Sequence, residues 1–354
     1  MTKTVSRQAL PLLRLLGALT VGALVSTSAW SQQAVLNLYS ARHYQTDEAL
    51  YQNFTKATGI RIQRVDADDA GILARLKSEG AASPADVVLL VDAARLWRAE
   101  VDGLFQPVKS ASLAQRIPAN LRGQDKGDGS SWFGFSTRAR LVVYDKSRVA
   151  KTDVDTYEKL ALPVNRGRLC TRSGSHPYNL SLFGAMVEHL GPVKGEAWLK
   201  GLVDNMARPP KGGDTDQIKA VASGECAVAL TNSYYLARVL RSSAPADREI
   251  AERVGVVFPD QADFGTHVNV AGGAVARYAR NREAAVRFLE YLSSEQAQAY
   301  FADGNNEWPA VAGIRLANPA LQNLGTFKAD ALPVSVIGMN QMKVQQMLDQ
   351  VGYK

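Results

Sequence analysis

The chain has 354 residues, with 41 Lys and Arg against 34 Asp and Glu and a formal net charge of +7. That length exceeds what a single hydrophobic core usually holds, so two domains are expected. The charge is spread along the chain without a long basic run or a stacking aromatic motif, which argues against nucleic acid as a partner.

In chain order, the first 31 residues are expected to stand outside the fold. Lys3, Arg7 and Arg14 make a positive start, and Leu15 to Val25 is an apolar stretch too short to span a bilayer comfortably. Ala29-Trp30-Ser31 then offers small residues at a cleavage site, so the segment reads as a secretory signal peptide cleaved near Ser31. It carries no Arg-Arg pair and no cysteine at the cut, which favours the general export route over the twin-arginine and lipoprotein routes. Cleavage removes three basic residues and leaves 38 against 34, a net charge of +4. No apolar run of eighteen or more residues follows, so a soluble mature protein is expected.

The N-terminal part then alternates. Ala34 to Tyr39 reads as a strand, and Thr46 is placed to cap a helix that runs to Thr58 and stops at Gly59. Ile60 to Val65 follows as a strand, Gly71 to Ser78 as a helix, and Ala85 to Val91 as an apolar strand suited to a buried parallel sheet. A helix over Ala93 to Val101 and a polar, glycine-rich loop over Gly123 to Ser131 lead to a long strand, Gly134 to Asp145, placed to leave one lobe and enter another. The second set has strands at Arg168 to Thr171, Cys226 to Leu230 and Val254 to Phe258. Its helices lie near Asn179 to Leu190, Glu196 to Asn205, Asp214 to Ser223 and Tyr234 to Leu240. A return segment, Asn269 to Ala276, precedes helices near Arg282 to Leu292 and Glu295 to Ala302, and the remainder reads as a tail. This pattern predicts an α/β fold of two lobes joined by more than one crossing strand.

Three stretches place tyrosines in polar surroundings beside turns and helix starts: Arg42-His43-Tyr44, His176-Pro177-Tyr178 and Asn232-Ser233-Tyr234-Tyr235. Each follows an expected strand end, at Tyr39, Thr171 and Leu230, and open α/β sheets bind ligands beyond the carboxyl ends of their strands. Grouped phenols are hard oxygen donors that suit a trivalent cation, and coordination displaces their protons. A helix start at Tyr234 turns both neighbouring phenols toward one cleft, where the positive end of the helix dipole favours phenolate. His43 could add a nitrogen donor. Singly, each of these residues has an ordinary reading: a Tyr-Tyr pair that packs, a Tyr178 that closes a turn, a His43 bonded within its loop, and solvated charges at Arg42 and Arg138. The remaining cysteines, Cys170 and Cys226, read as a disulfide in an exported chain, since thiolate ligation would need partners of the same kind and none is visible.

The segments YSARHYQTD, RARLVVYDK, RLCTRSGSHPYNLSLF, ECAVALTNSYYLARV and NEWPAV resemble the periplasmic ferric iron-binding proteins of ABC importers. The likeness is to their tyrosine-rich subgroup, related to the cyanobacterial and Campylobacter proteins, and spans the mature chain. It implies a two-lobed, type II periplasmic binding protein with hinge strands, in which residues 32–136 and about 262–312 form one lobe and 137–261 and about 313–354 the other. It implies Fe(III) as the transported ligand, held by Tyr44 from the first lobe and Tyr178, Tyr234 and Tyr235 from the second, with His43 as a fifth donor. Arg42 or Arg138 would hold a synergistic carbonate or offset phenolate charge. The Cys170–Cys226 pairing would tie the strand before Tyr178 to the strand before Tyr235. A monomer that docks on an inner-membrane permease is implied, with no enzymatic activity.

Two rivals remain at this level. A binding protein of the same fold for a polyamine, thiamine or an oxyanion would need acidic or aromatic cages, or convergent amides, in place of grouped phenols. A secreted metallo-hydrolase would need an open coordination position, and the chain shows no HExxH or GxSxG motif. Its histidines are only His43, His176, His189 and His267, and His189 sits on an apolar helix where a structural role is expected.

Overall fold

The computed structural model describes residues 34–42 and 44–354. The signal-peptide reading of residues 1–31 and the ligand reading of His43 lie outside these residues. The chain opens with β1 (Val35–Ser40), α1 (Asp47–Thr58), β2 (Arg61–Asp66), α2 (Asp69–Glu79) and β3 (Val87–Leu90), and β1 pairs in parallel with both β2 and β3. Gly59 ends α1 in the left-handed region at φ 75°, a conformation glycine adopts without a Cβ penalty. Thr46 does not cap that helix. Its backbone is already helical, and its hydroxyl bonds Asn305 Oδ1 instead. A side-chain cap does form at Asp92, which accepts from Ala94 and Arg95 N–H to start α3 (Ala93–Val101).

β4 (Phe105–Gln106) and the short α4 (Ala111–Arg116) lead to β5 (Phe133–Asp145). The second set is β6 (Leu169–Cys170), α5 (Pro177–Asp204), α6 (Asp214–Ser223), β7 (Val228–Asn232), α7 (Ser233–Arg241), α8 (Pro245–Arg253) and β8 (Val254–Val257). The chain returns through β9 (Val268–Ala276), α9 (Arg282–Leu292), α10 (Glu295–Asn305) and β10 (Trp308–Pro309), then α11 (Pro319–Leu324) and α12 (Val334–Val351). Gly191, at φ 74° and followed by Pro192, breaks α5 into the two helices the sequence suggests.

β5 joins the two lobes of this α/β fold. Its first half, from Phe133 to Ala139, pairs antiparallel with β9, which lies beside β3. Its second half, Arg140 to Asp145, pairs antiparallel with β7 and β8. Side chains alternate across both sheets, as a period of two requires. Leu36, Leu38 and Leu89 pack with Phe54 and Phe288, whereas Tyr39, Val88 and Leu90 pack with Ile72 and Leu96. On the other side of the crossing, Val142 joins the core of Phe183 and Trp198, while Leu141 and Val143 join that of Ile218 and Leu236.

The expected C-terminal tail is the 18-residue helix α12. It packs on α5 and α3 together: a Cβ at Gly338 would lie 2.5 Å from the Trp97 ring, and Gly184 of α5 faces the Ile337 carbonyl. Because apolar residues face two helices, the single-sided periodicity that marks a surface helix is blurred. That is why sequence pattern alone misses it.

Candidate metal centre

The loops after β1, β6 and β7 converge, and each brings its tyrosines. Tyr44 lies between β1 and α1, Tyr178 in the first turn of α5, and Tyr234 and Tyr235 in the first turn of α7. His176 caps α5 with ring Nδ1, which accepts the Tyr178 N–H at 3.2 Å. Burial, with Arg172 next in effect, holds the His176 pKa down at about 3, so the ring stays neutral and able to accept.

A buried ion pair holds the second-lobe half of this site. Arg140 on β5 donates to Asp214 Oδ2 at 2.6 Å, to Asn232 Oδ1 at 3.1 Å and to Asn179 Oδ1 at 2.7 Å. Asp214 also accepts the Asn232 N–H at 2.7 Å and Arg172 at 3.1 Å. The residues that start α5 and α7 therefore share one guanidinium, that of Arg140, and Ser233 Oγ accepts the Ala139 N–H to fix α7 on the crossing strand. Asp214→Ala leaves Arg140 charged and buried, so an unfolding free energy lower by about 3–5 kcal/mol is expected in urea titration. A loss below about 1 kcal/mol would show the pair to be dispensable.

Within the site, the Tyr178 and Tyr234 hydroxyl oxygens are 3.1 Å apart. The Tyr44 ring lies edge-on to Tyr234 with centroids 6.2 Å apart, and the Tyr235 ring lies 4.2 Å from that of Tyr234. Burial raises the Tyr178 pKa to about 12 and pushes Tyr44 and Tyr234 well above the ordinary phenol range. Nearby Glu307 also raises Tyr44, while Arg42 and Arg138 oppose the shift. In the metal-free protein these three phenols are protonated at neutral pH.

Arg42 and Arg138, expected as anion holders or as charges that offset phenolate, with solvated charge as their ordinary reading, are both buried. Arg42 pairs with Asp47 at 2.6 Å and sits 5.0 Å from the centre of the Tyr44 ring. Arg138, 2% exposed, has no hydrogen-bond partner at any guanidinium nitrogen among the described residues; among these its nearest carboxylate is Glu307, at 3.8 Å, and its Cζ is 5.8 Å from the Tyr178 ring centre. A cleft of about 800 Å³ opens on one side of Tyr44, with Arg42, Asp69, Arg95, His176 and Tyr178 on its walls. A smaller one of about 380 Å³ lies on the other, against Tyr234, Tyr235 and Arg238.

Cys170 and Cys226 form a disulfide, Cα atoms 5.9 Å apart, that joins β6 to the start of β7. His189 has the structural place expected of it, stacked on Phe264 and bonded to Asp330 at 2.8 Å. Sequence reasoning missed Glu307, which lies fully buried between Tyr44 and both arginines. The only signal was its place in NEWPAV, a segment noted for resemblance and given no role. Among the described residues, no group of three or more His, Cys, Asp or Glu side chains could hold a metal.

The chain is 47% identical over 323 residues to iron uptake protein A1 of Synechocystis sp., covering 91% of this chain and 88% of that protein. The solved structure of the Trichodesmium IdiA (FutA) protein in complex with iron and citrate ligands superimposes with a TM-score of 0.85 at 48% identity, over 91% of this chain and all of that one. The ferric binding protein from Campylobacter jejuni superimposes at 0.83 with 36% identity, over 90% of this chain and all of that one. Residues 49–329 match the family model for bacterial extracellular solute-binding proteins, and the chain belongs to that family.

Proposed function

We propose that this chain is a periplasmic solute-binding protein that captures Fe(III) between its two lobes through tyrosinate ligands and delivers it to an ABC permease. The observation that carries the reading is the meeting of Tyr44, Tyr178, Tyr234 and Tyr235 from three separate loops, with two hydroxyl oxygens 3.1 Å apart. Adjacent oxygens around an octahedral ion with bonds of about 2.1 Å are about 3 Å apart. Hard anionic oxygen suits a hard trivalent ion, and relatives that match over nine-tenths of this chain are named for iron uptake and ferric binding. Like them it is a carrier and not an enzyme.

The four phenols are the proposed ligands, with His43 as a fifth donor. The lobes are proposed as residues 32–136 with about 262–312, and 137–261 with about 313–354. Iron first met by Tyr178, Tyr234 and Tyr235 draws Tyr44 across the cleft, and closure is stabilised because the closed state binds the ion better. Arg42 and Arg138 offset phenolate charge. The Arg138 guanidinium, which faces Glu307 at 3.8 Å and has no hydrogen-bond partner among the described residues, is the place where a synergistic carbonate would be held, and iron uptake unchanged in bicarbonate-free buffer would remove that anion from the site. The protein is proposed to act as a monomer, exported with cleavage near Ser31.

The test is the visible spectrum of the purified mature protein during addition of ferric citrate. A tyrosinate-to-iron charge-transfer band that grows to one equivalent is expected. A protein that stays colourless and takes up no iron would overturn the reading and leave a polyamine, thiamine or an oxyanion as the ligand of the same fold.

A further inference from the structure

The helix α12 is anchored in both lobes, and unequally. Toward the second lobe, Val344, Met347 and Leu348 lie in the core of Phe183 and Trp198. Asn340 Nδ2 donates to the Gly184 carbonyl at 3.1 Å and to Glu188 Oε2 at 2.9 Å, and beyond the helix end the Gly174 N–H donates to the Lys354 carbonyl at 2.9 Å. Toward the first lobe, Val334 joins the core of Ile72 and Leu96, and the Trp97 ring of α3 lies on Gly338. Among the described residues no hydrogen bond joins α3 to α12. Glycine is a poor residue for a helix interior, and here it has a steric reason. A Cβ at position 338 would lie 2.5 to 2.7 Å from Trp97 Cδ2, Cε3 and Cγ. Cγ is the root of the ring, so the ring cannot swing aside from such a contact cheaply.

We propose that α12 travels with the second lobe and that the Trp97–Gly338 seam is the sliding contact on which the lobes close. This rests on the ferric reading above, in which Tyr44 is drawn across the cleft, and adds to it the seat that sets how near the lobes come. Hydrogen bonds are directional and resist shear, whereas a flat ring on bare backbone does not, and packed helices in domain closure move by small slides. The start of α3 is pinned: Asp92 accepts from Asn269 Nδ2 at 2.8 Å, and the Ala93 N–H donates to Asn269 Oδ1 at 2.9 Å. Asn269 stands at the start of β9, where the chain returns to the first lobe. Trp97 is about 7 Å along the helix from that pinned end, so a rotation of about 10° there moves the ring by about 1 Å. The lobes are together in this structure, with the Tyr44 ring edge-on to Tyr234. A Cβ at position 338 therefore penalises this closed arrangement relative to one in which α3 and α12 have slid apart.

The experiment is ferric citrate titration, followed by the charge-transfer band, of the parent, Gly338→Ala, Trp97→Leu and their double variant. Oxidative footprinting of Trp97 in the parent, before and after loading, accompanies it. Gly338→Ala is expected to weaken iron binding at least about fivefold, the equivalent of a small overpacking penalty on the closed state alone. Its band at saturation should match that of the parent, because no ligand is touched. Trp97→Leu clears the seat, so the double variant should bind within about twofold of Trp97→Leu alone. In the parent, loading should slow Trp97 oxidation at least about twofold as the ring moves onto α12. Helix packing with no part in closure would lower the melting temperature of Gly338→Ala and leave its iron affinity within about fivefold of the parent, which overturns the proposal. So do losses that multiply in the double variant, a band of altered shape in Gly338→Ala, and Trp97 oxidation that loading leaves unchanged. The footprint needs no substitution, so it decides the matter if Gly338→Ala does not fold. A parent that takes up no iron would defeat the ferric reading and the closure with it, a result distinct from all of these.

Discussion

The variant Tyr234→Phe/Tyr235→Phe is expected to lose ferric binding by on the order of 10³-fold or more and to lose the charge-transfer band with it. The reasoning is one of donors. Removing an outer-shell partner of a metal ligand already costs about 10- to 100-fold, and two direct ligands must cost at least as much each. Phenylalanine keeps the rings, so the packing of Tyr234 against Tyr44 and Tyr235 persists. What disappears is oxygen, including the Tyr234 partner of the Tyr178 hydroxyl, a bond worth about 1 kcal/mol of stability. The folded variant should therefore melt close to the parent while failing to take up iron. Equilibrium competition against a ferric chelator gives the affinity, and retention within threefold of the parent would exclude the Tyr234-Tyr235 pair from the coordination sphere.

Much of this site was legible because its signals are local. Gly59 marks its helix end, the apolar run at β3 marks a buried strand, and tyrosines that follow strand ends mark a cleft. Tyr234 and Tyr235 lie in the first helical turn, as their context suggests, because Ser233 opens α7 directly after β7. Arg42 and Arg138 could be named as candidates but not weighed. Burial depends on what covers a residue, and the carboxylate beside both of them is far along the chain. Glu307 is 263 residues from Tyr44 and 171 from Ser136, so no window of sequence holds the three together. The same holds for α12, whose contacts with Trp97 and Gly184 reach helices from both halves of the fold. Thr46 failed as a cap for a related reason: a distant partner, Asn305, competes for its hydroxyl.

Iron binding is expected to fall steeply as pH falls, and the sign follows from the phenols. Burial first of all holds Tyr178 up at about 12 and keeps Tyr44 and Tyr234 well above the ordinary range, so the free site carries these protons through neutral pH. On the proposed ligand set the ion binds phenolate, so each of these tyrosines must release its proton when iron enters. Below the pKa of the free site, each released proton makes apparent affinity rise about tenfold per pH unit, which gives about a thousandfold per unit for three phenols. The dependence should flatten only as pH approaches the phenol range. A pH-stat titration, corrected for protons taken up by the ferric citrate as it dissociates, should count at least three protons released per iron. One proton or fewer would mean that the ion is held by groups already ionised, and the phenols would lose their role. The count also explains why raised pKa values do not argue against binding. A site whose phenols were already ionised would gather negative charge against buried arginines that already face Asp47, Glu307 and Asp214, whereas protonated phenols keep the empty cleft near neutrality until a cation strong enough to displace the protons arrives. Divalent ions displace them less readily, so the same burial that opposes ionisation favours the trivalent ion, and mild acid returns the protons and releases it.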